Sequence, residues 1–185
     1  MKRLKLALGI VLASAAALSA QEVVTPQYEV DLNYSWLHVS SAPGHDDLQR
    51  TANGGSGSFE YNFSKVAGIV ADFGGYANTR INDRAFTYMF GPRFNWRHAR
   101  LTPYVQVLAG GVYVWNDLAS QHSVGQNSFA FAAGGGLEYH LTKLISIKPI
   151  QVEYIMTQIS STKGFGSYQN DIRYSGGASF RFGAK

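Results

Sequence analysis

The sequence of 185 residues contains no cysteine, so its stability cannot come from disulfides and it has no cysteine for lipid attachment. Beyond the first 20 residues, no apolar run approaches the roughly 20 residues that a membrane-spanning helix needs. If this part of the chain enters a membrane, it must therefore form a closed β-barrel, in which all backbone polar groups are paired.

The first 20 residues have the layout of a cleavable secretory signal. Three basic residues within the first five positions precede an apolar run at 6–12, and a small-residue stretch ends at Ala20. We predict a signal peptide over 1–20, with cleavage after Ala20, and one barrel domain over 21–185. Without those three, 13 of the 16 basic residues remain against 12 acidic ones. No element combines basic and aromatic residues in one patch, so nucleic acid is not an expected partner.

Apolar and polar residues alternate along most of the remaining sequence. Over 28–36 every second residue is apolar, and the residues between them are polar, beginning with Glu29 and Asp31. This period of two is typical of a strand with one apolar and one polar face. The same pattern recurs in segments long enough to cross a bilayer as tilted strands, about 9–11 residues each. It predicts eight strands, at 28–39, 51–63, 66–78, 85–96, 101–115, 128–141, 146–159 and 169–182.

The connections between these strands alternate in length. Tight turns are predicted at 64–65, 97–100 and 142–144, and longer polar loops at 40–50, 79–84, 116–127 and 160–168. Barrels of the outer membrane sort their connections in this way, with the short turns facing the periplasm. The sequence therefore predicts an all-β fold, an eight-stranded antiparallel up-and-down transmembrane β-barrel in the outer membrane of a Gram-negative cell.

Aromatic residues collect at the predicted strand ends, as in the two interfacial girdles of membrane barrels. Those predicted near the long loops are Trp36, Tyr113, Trp115, Phe129 and Tyr174. Those predicted near the short turns are Tyr61, Phe63, Phe94, Trp96, Tyr139, Phe180 and Phe182.

If the aromatic face contacts lipid, the opposite face points into the barrel and carries the charged residues. Outward placement of such charges near the bilayer midplane costs about 2–4 kcal/mol for arginine or lysine. We expect an ion-pair network in the lumen with Arg93 and Arg173 as its central donors. The residues assigned to the interior are Glu29, Asp31, Glu60, Asp72, Arg93, Gln106, Glu138, Glu153, Arg173 and Arg181. The sequence leaves two placements open for Lys148: inward through a bulge at Pro149, or outward near the short-turn rim.

The sequence offers no convincing catalytic or metal site. His122 and Ser123 are neighbours in a predicted loop without a positioned carboxylate, so we interpret them as ordinary loop residues. The run 45–47, His-Asp-Asp, supplies too few ligands on one loop for a cation. His140 is interpreted as a lumen or rim residue, and the glycines open no helix that could hold a phosphate. We expect no enzymatic activity, no cofactor and no metal.

The residues resemble the eight-stranded domain of OmpA-type and opacity-type outer membrane proteins over nearly all of the sequence after the signal. The resembling segments are 70–75 (VADFGG), 90–93 (FGPR), 102–105 (TPYV), 133–138 (AGGGLE) and 150–154 (IQVEY). The resemblance implies insertion by the outer-membrane assembly machinery, which in such families reads a final strand ending in an aromatic residue. Here Phe182 is the last aromatic residue, followed by 183–185.

These observations favour a structural or surface-interaction role, in which a rigid barrel presents four longer loops to a surface ligand. The partners expected besides such a ligand are outer membrane lipids and lipopolysaccharide. Two alternatives stay open. One is a narrow porin-like channel gated by the lumen ion pairs, although eight strands leave room for little more than side chains. The other is a soluble lipocalin-like barrel, which requires its apolar face inside.

Overall fold

The computed structural model describes residues 25–39, 50–78, 83–116, 124–159 and 167–184, which form one closed antiparallel barrel. Each strand pairs with the next one in sequence, and the last strand closes on the first. The predicted fold class is therefore confirmed. The strands are β1 Pro26–Val39, β2 Arg50–Asn62, β3 Ala67–Asn78, β4 Asp83–Asn95, β5 Leu101–Asn116, β6 Val124–His140, β7 Ile145–Ile159 and β8 Ser167–Ala184.

The two faces of the wall differ as the alternation predicts. On β1, Asp31 is fully buried inside the barrel, whereas its neighbour Leu32 is 58% exposed on the outside. A soluble barrel would bury the apolar face and expose the charges, so this arrangement contradicts the lipocalin-like alternative. No helix long and apolar enough to span a membrane occurs within the ranges that the structure describes.

Several strands extend beyond their predicted ends toward the long connections. β6 begins at Val124 rather than at residue 128, and β8 begins at Ser167 rather than at residue 169. Strand pairing there continues on both sides, as Asn116 with Val124 shows. The apolar–polar alternation of the sequence stops before these strands end, although the backbone ladder continues. Sequence periodicity therefore underestimates the length of the strands at this end.

The predicted tight turns join the strands at one end of the barrel, here called the short-turn end. The opposite end is called the long-loop end, and its connections at 40–49, 79–82, 117–123 and 160–166 lie outside the described residues. The interpretations of His122, Ser123 and the run 45–47 fall on these segments. The predicted signal at 1–20 also lies outside them and stays a prediction.

β7 carries one extra residue in its ladder. Its pairing with β8 changes register between Lys148 and Gln151, and its pairing with β6 changes register between Leu137 and Tyr139. Pro149 lies within this bulge and has no backbone N–H to donate to a ladder. Because two exposed residues separate Lys148 from Gln151, both of these side chains point into the lumen. Of the two placements that the sequence left open for Lys148, the structure has the inward one.

Candidate functional site

The lumen holds a layer of buried charges, and Arg93 on β4 is its first centre. Arg93 Nη1 donates to Glu60 Oε2 at 2.7 Å and to Asp31 Oδ2 at 3.2 Å. Arg93 Nε donates to Gln106 Oε1 at 2.7 Å. These partners come from β1, β2 and β5, so one guanidinium connects strands across the interior of the barrel. The planar guanidinium holds its N–H donors in a fixed fork, which suits arginine to several contacts at once.

Arg173 on β8 is the second centre. Its Nε donates to Glu153 Oε2 at 2.6 Å, and its Nη1 donates to Asp72 Oδ1 at 2.9 Å and to Tyr76 Oη at 2.8 Å. Gln106 joins the two centres, because its Nε2 donates to Glu153 Oε1 at 2.7 Å while its Oε1 accepts from Arg93. The two arginines that the sequence singles out therefore belong to one continuous hydrogen-bonded network.

Lys148 and Tyr104 complete the middle of this network. The Lys148 ammonium donates to Asp31 Oδ2 and lies 4.0 Å from Glu138 Oε1. The Tyr104 ring lies between two cations, with its centroid 4.6 Å from Arg93 Cζ and 4.9 Å from Lys148 Nζ. Both distances are within the range of a cation–π interaction. Tyr104 lies in the resembling segment 102–105, but a tyrosine on a polar face has no distinctive spacing that would predict its place in the network.

Polar and charged residues at the short-turn end form a smaller group. Glu29 Oε1 accepts from Arg97 Nη2 at 2.7 Å and from Asn62 Nδ2 at 2.8 Å. Arg97 belongs to a predicted turn, and its inward reach was missed because the strand alternation does not extend to turn residues. Arg181 also lies at this end, and its Nη2 donates to the carbonyl of Thr142 at 2.6 Å. Its predicted place in the ion-pair network stays a prediction.

His140 lies between two hydroxyl groups in the lumen. Its Nδ1 is 2.9 Å from Ser146 Oγ and its Nε2 is 2.8 Å from Thr102 Oγ1. A serine–histidine pair at this distance resembles part of a catalytic triad. The second ring nitrogen, however, faces a hydroxyl where a triad has a carboxylate. Among the described residues there is also no cluster of three or more histidine and acidic groups that could hold a metal.

A second, apolar layer fills the lumen beside the charged one. Most of its residues lie in the strand halves toward the long-loop end, and Met89 and Leu108 expose none of their surface. This layer lies on a face predicted to be polar, and it could not be predicted because isolated apolar residues on a polar face do not change the period. The layer comprises Leu37, Val70, Tyr76, Met89, Leu108, Val112, Ala130, Ala132 and Ile155.

Lipid-facing aromatic rings lie near both ends of the barrel. Trp36 toward the long-loop end and Phe63, Trp96 and Phe182 toward the short-turn end are about half exposed. Tyr61 and Phe180 share the outer face but are partly covered, Tyr61 by Tyr28 at a ring distance of 5.5 Å. The side chain of Trp115 lies outside the described set. These positions correspond to the two interfaces that amphipathic rings prefer.

The charge distribution separates the interior from the lipid face. Every acidic side chain that the structure describes is buried in the barrel, and these residues are Glu29, Asp31, Glu60, Asp72, Glu138, Glu153 and Asp171. A closed wall of eight strands that is apolar outside and charged within defines a transmembrane β-barrel of the outer membrane.

The chain belongs to the family of outer membrane protein β-barrel domains, whose sequence model matches residues 6–183. The resemblance proposed from the sequence and the outer membrane location are confirmed. A search of the curated proteins finds no significant match to the sequence.

Solved structures share the fold at low sequence identity. Neisserial surface protein A superposes with a TM-score of 0.72 at 14% identity, covering 87% of this chain and 100% of its own. The attachment invasion locus protein Ail of Yersinia pestis gives 0.54 at 16% identity, with 88% and 100% covered. The N-terminal barrel of Pseudomonas aeruginosa OprF gives 0.53 at 16% identity, with 85% and 100% covered. Each likeness is one of fold.

Proposed function

We propose that the protein is a non-catalytic outer membrane barrel with a structural or surface-interaction role, a rigid mount that presents four loops outside the cell. The observation that supports this role best is the filled lumen. Charged and apolar side chains occupy it in two layers, and many expose almost none of their surface. A barrel filled in this way resists deformation, and binding sites are commonly found on loops that a rigid scaffold positions.

The lumen favours this role over a narrow channel. A channel needs a continuous wet path past Arg93 and Arg173, which expose 2% and 0% of their surface and are bonded to carboxylates. Opening such a path would separate buried ion pairs, and breaking one costs about 3–5 kcal/mol. It would also have to pass Met89 and Leu108 in the apolar layer. The ion pairs therefore act as structural contacts in this proposal rather than as a gate.

The proposal includes a route to the membrane. Residues 1–20 direct export and are removed after Ala20, and the assembly machinery then inserts the barrel. On β8, the side chains of Tyr174 and Phe182 point outward into the lipid. Outward aromatic residues on the final strand are what the assembly machinery reads in similar barrels. N-terminal sequencing of the protein from outer membranes should begin at Gln21.

The ligand of the loops is not carried over from a structural relative. Ail of Yersinia pestis has been solved with the heparin analogue sucrose octasulfate. The loop segments of the present chain contain three acidic residues, Asp46, Asp47 and Asp117, against Arg80 and Lys163. Without clustered basic residues they offer little attraction to a polysulfated sugar, so we do not extend that ligand class to this protein.

Loop removal tests the proposed role directly. The segments 40–49, 79–82, 117–123 and 160–166 are replaced by Asn-Gly turns, which suit antiparallel strand pairs. Intact and trimmed proteins are produced in a Gram-negative host that lacks adhesins, and heat-modifiable migration of outer membrane fractions reports folding. We expect both barrels to fold, and only cells with the intact protein to gain autoaggregation or adhesion to epithelial cells. Equal adhesion by cells with the trimmed protein would place the function in the barrel and refute the proposal.

A further inference from the structure

The three turns at the short-turn end, which faces the periplasm, share a pattern that the barrel itself does not require. Each presents an exposed basic side chain between exposed apolar ones on the outer surface. The three sets are Phe63, Lys65 and Val66; Trp96, Arg100 and Leu101; and Leu141, Lys143 and Leu144. We call these nine residues the periplasmic rim.

Two of the turns are built in the same way. Ser64 Oγ accepts hydrogen bonds from the backbone N–H groups of Val66 at 3.2 Å and Ala67 at 2.8 Å. Thr142 Oγ1 accepts from those of Leu144 at 3.2 Å and Ile145 at 3.0 Å. The hydroxyl group therefore closes each turn. The lysine that follows it takes no part in closing the turn, so turn formation does not explain its presence.

Nothing within the described part of the chain neutralises these three basic residues. Lys65, Arg100 and Lys143 make no ion pair there, whereas the acidic residues near this end point inward. Glu29 is bonded to Arg97 and Glu138 faces Lys148. The exposed charges of the periplasmic rim are thus all positive.

The apolar neighbours fix the depth of these charges in the bilayer. Phe63 is 59% exposed and Leu144 is 61% exposed at the short-turn end of the wall. Both side chains therefore reach the boundary between hydrocarbon and headgroups. Lys65, two residues from Phe63, and Lys143, next to Leu144, then lie at the level of the phosphate groups, with their aliphatic stems along the apolar surface. Each basic residue at this depth should enrich anionic lipid around it about fivefold. This electrostatic attraction falls off within a Debye length.

We propose that the periplasmic rim binds the headgroups of anionic phospholipids, of the phosphatidylglycerol class, in the inner leaflet. A phospholipid offers a phosphate to the basic residue and acyl chains to the apolar residues on either side of it. A water-soluble wall polymer offers negative charge but leaves Phe63 and Leu144 uncovered. The alternation of apolar and basic residues therefore fits lipid better than polymer.

The test uses Trp96, which belongs to the rim, as a fluorescence reporter. Trp36→Phe and Trp115→Phe leave it as the sole tryptophan, and the barrel is refolded into vesicles of phosphatidylcholine with a minority of phosphatidylglycerol. Two sets of vesicles have the same lipid composition. In one set part of the phosphatidylglycerol carries bromine, and in the other an equal amount of the phosphatidylcholine does; bromine quenches tryptophan fluorescence on contact. We expect brominated phosphatidylglycerol to quench as though enriched about fivefold around Trp96.

Substitution of the three basic residues tests whether the preference for anionic lipid comes from the periplasmic rim. The variant Lys65→Gln, Arg100→Gln, Lys143→Gln keeps Ser64 and Thr142, so its turns still close, and it should quench equally with either brominated lipid. Arg84→Gln, an exposed arginine at the other end of the barrel, is the matched control and should retain the preference. Heat-modifiable migration verifies that each variant is folded. If the triple variant does not fold, salt titration of the parent protein replaces it, because screening should abolish the preference.

Three results would overturn the inference: equal quenching by the two lipids in the parent protein, a preference that survives the triple substitution, or a preference that high salt leaves unchanged. Solubilised anionic peptidoglycan is added separately to barrels in phosphatidylcholine vesicles. If it alters Trp96 emission while the lipid preference is absent, the rim binds a wall polymer and the lipid assignment is wrong.

Discussion

Arg93 illustrates how the interior holds a charge at the level of single residues. Its guanidinium contacts two carboxylates and one amide, and the ring of Tyr104 covers it at 4.6 Å. A buried cation with this many partners is compensated, but its partners depend on it equally. Removing it leaves Asp31 and Glu60 buried with fewer positive neighbours.

Arg93→Met should therefore destabilise the barrel by about 3–5 kcal/mol, because it leaves carboxylates without their partner. The measurement is the urea midpoint of unfolding in vesicles. Arg84→Met on the same strand is the control, since this exposed arginine lies outside the lumen, and it should shift the midpoint little. Adding Glu60→Gln to Arg93→Met should recover part of the loss. Equal midpoints for the two arginine variants would show that the network contributes nothing to stability.

Gly136 makes room for the tyrosine of the network. A Cβ atom there would lie 2.6 Å from Tyr104 Oη and 2.7 Å from the carbonyl oxygen of Ile150, closer than real contacts allow. Gly75, also inside a strand, faces open space on the outer surface, with no atom within 4 Å.

Gly136→Ala should therefore cost about 1–3 kcal/mol through overpacking, whereas Gly75→Ala should be neutral or slightly stabilising. Thermal unfolding of both variants in the same detergent compares them. A larger loss from Gly75→Ala than from Gly136→Ala would contradict the packing described for the lumen.

Among the strands, β7 departs from strict alternation of inward and outward side chains. Strict alternation cannot keep both Lys148 and Gln151 inside, since they are three residues apart. The extra residue in the ladder resolves this conflict, and Pro149 is a residue that tolerates the missing hydrogen bond. The sequence revealed the conflict and suggested the bulge, but only the register with β6 and β8 decides where Lys148 points.

Deletion of Pro149 should be tolerated. It removes the bulge, restores regular alternation and leaves Lys148, Gln151 and Glu153 on the inner face. Deletion of Val152 in the same strand is the matched control: with the bulge kept, it turns Glu153 toward lipid, and it should prevent assembly. Heat-modifiable migration of both proteins from outer membranes measures the difference. The bulge assignment is wrong if the Pro149 deletion fails to assemble while the Val152 deletion folds.

The strands are predictable from sequence to a greater degree than the contents of the barrel. Alternation is imposed by lipid on one side and a polar interior on the other, so eight strands and both faces can be predicted without coordinates. Pairing inside the lumen depends on side chains from strands far apart in sequence, such as Asp72 and Arg173. Neither the role of Gln106 as the link between the two arginines nor the apolar layer around Met89 leaves a periodic signal.

At the scale of the whole molecule, two layers of buried side chains occupy the interior of the described barrel. The charged layer connects β1, β2 and β5 through Arg93, and β3 and β7 through Arg173. The apolar layer lies mainly toward the long-loop end of the barrel. In the proposed role, such a barrel transmits no solutes and its loops are the contact surface.

Single-channel recording of the purified, folded protein in planar bilayers tests this closed lumen most directly, with a general porin in the same membrane as the positive control. We predict no discrete conductance steps at either polarity, because the buried side chains of Arg93, Arg173, Met89 and Leu108 occupy the lumen. Regular steps whose size changes in Arg93→Gln would contradict the account, since they would show that ions pass the network and that the protein is a channel.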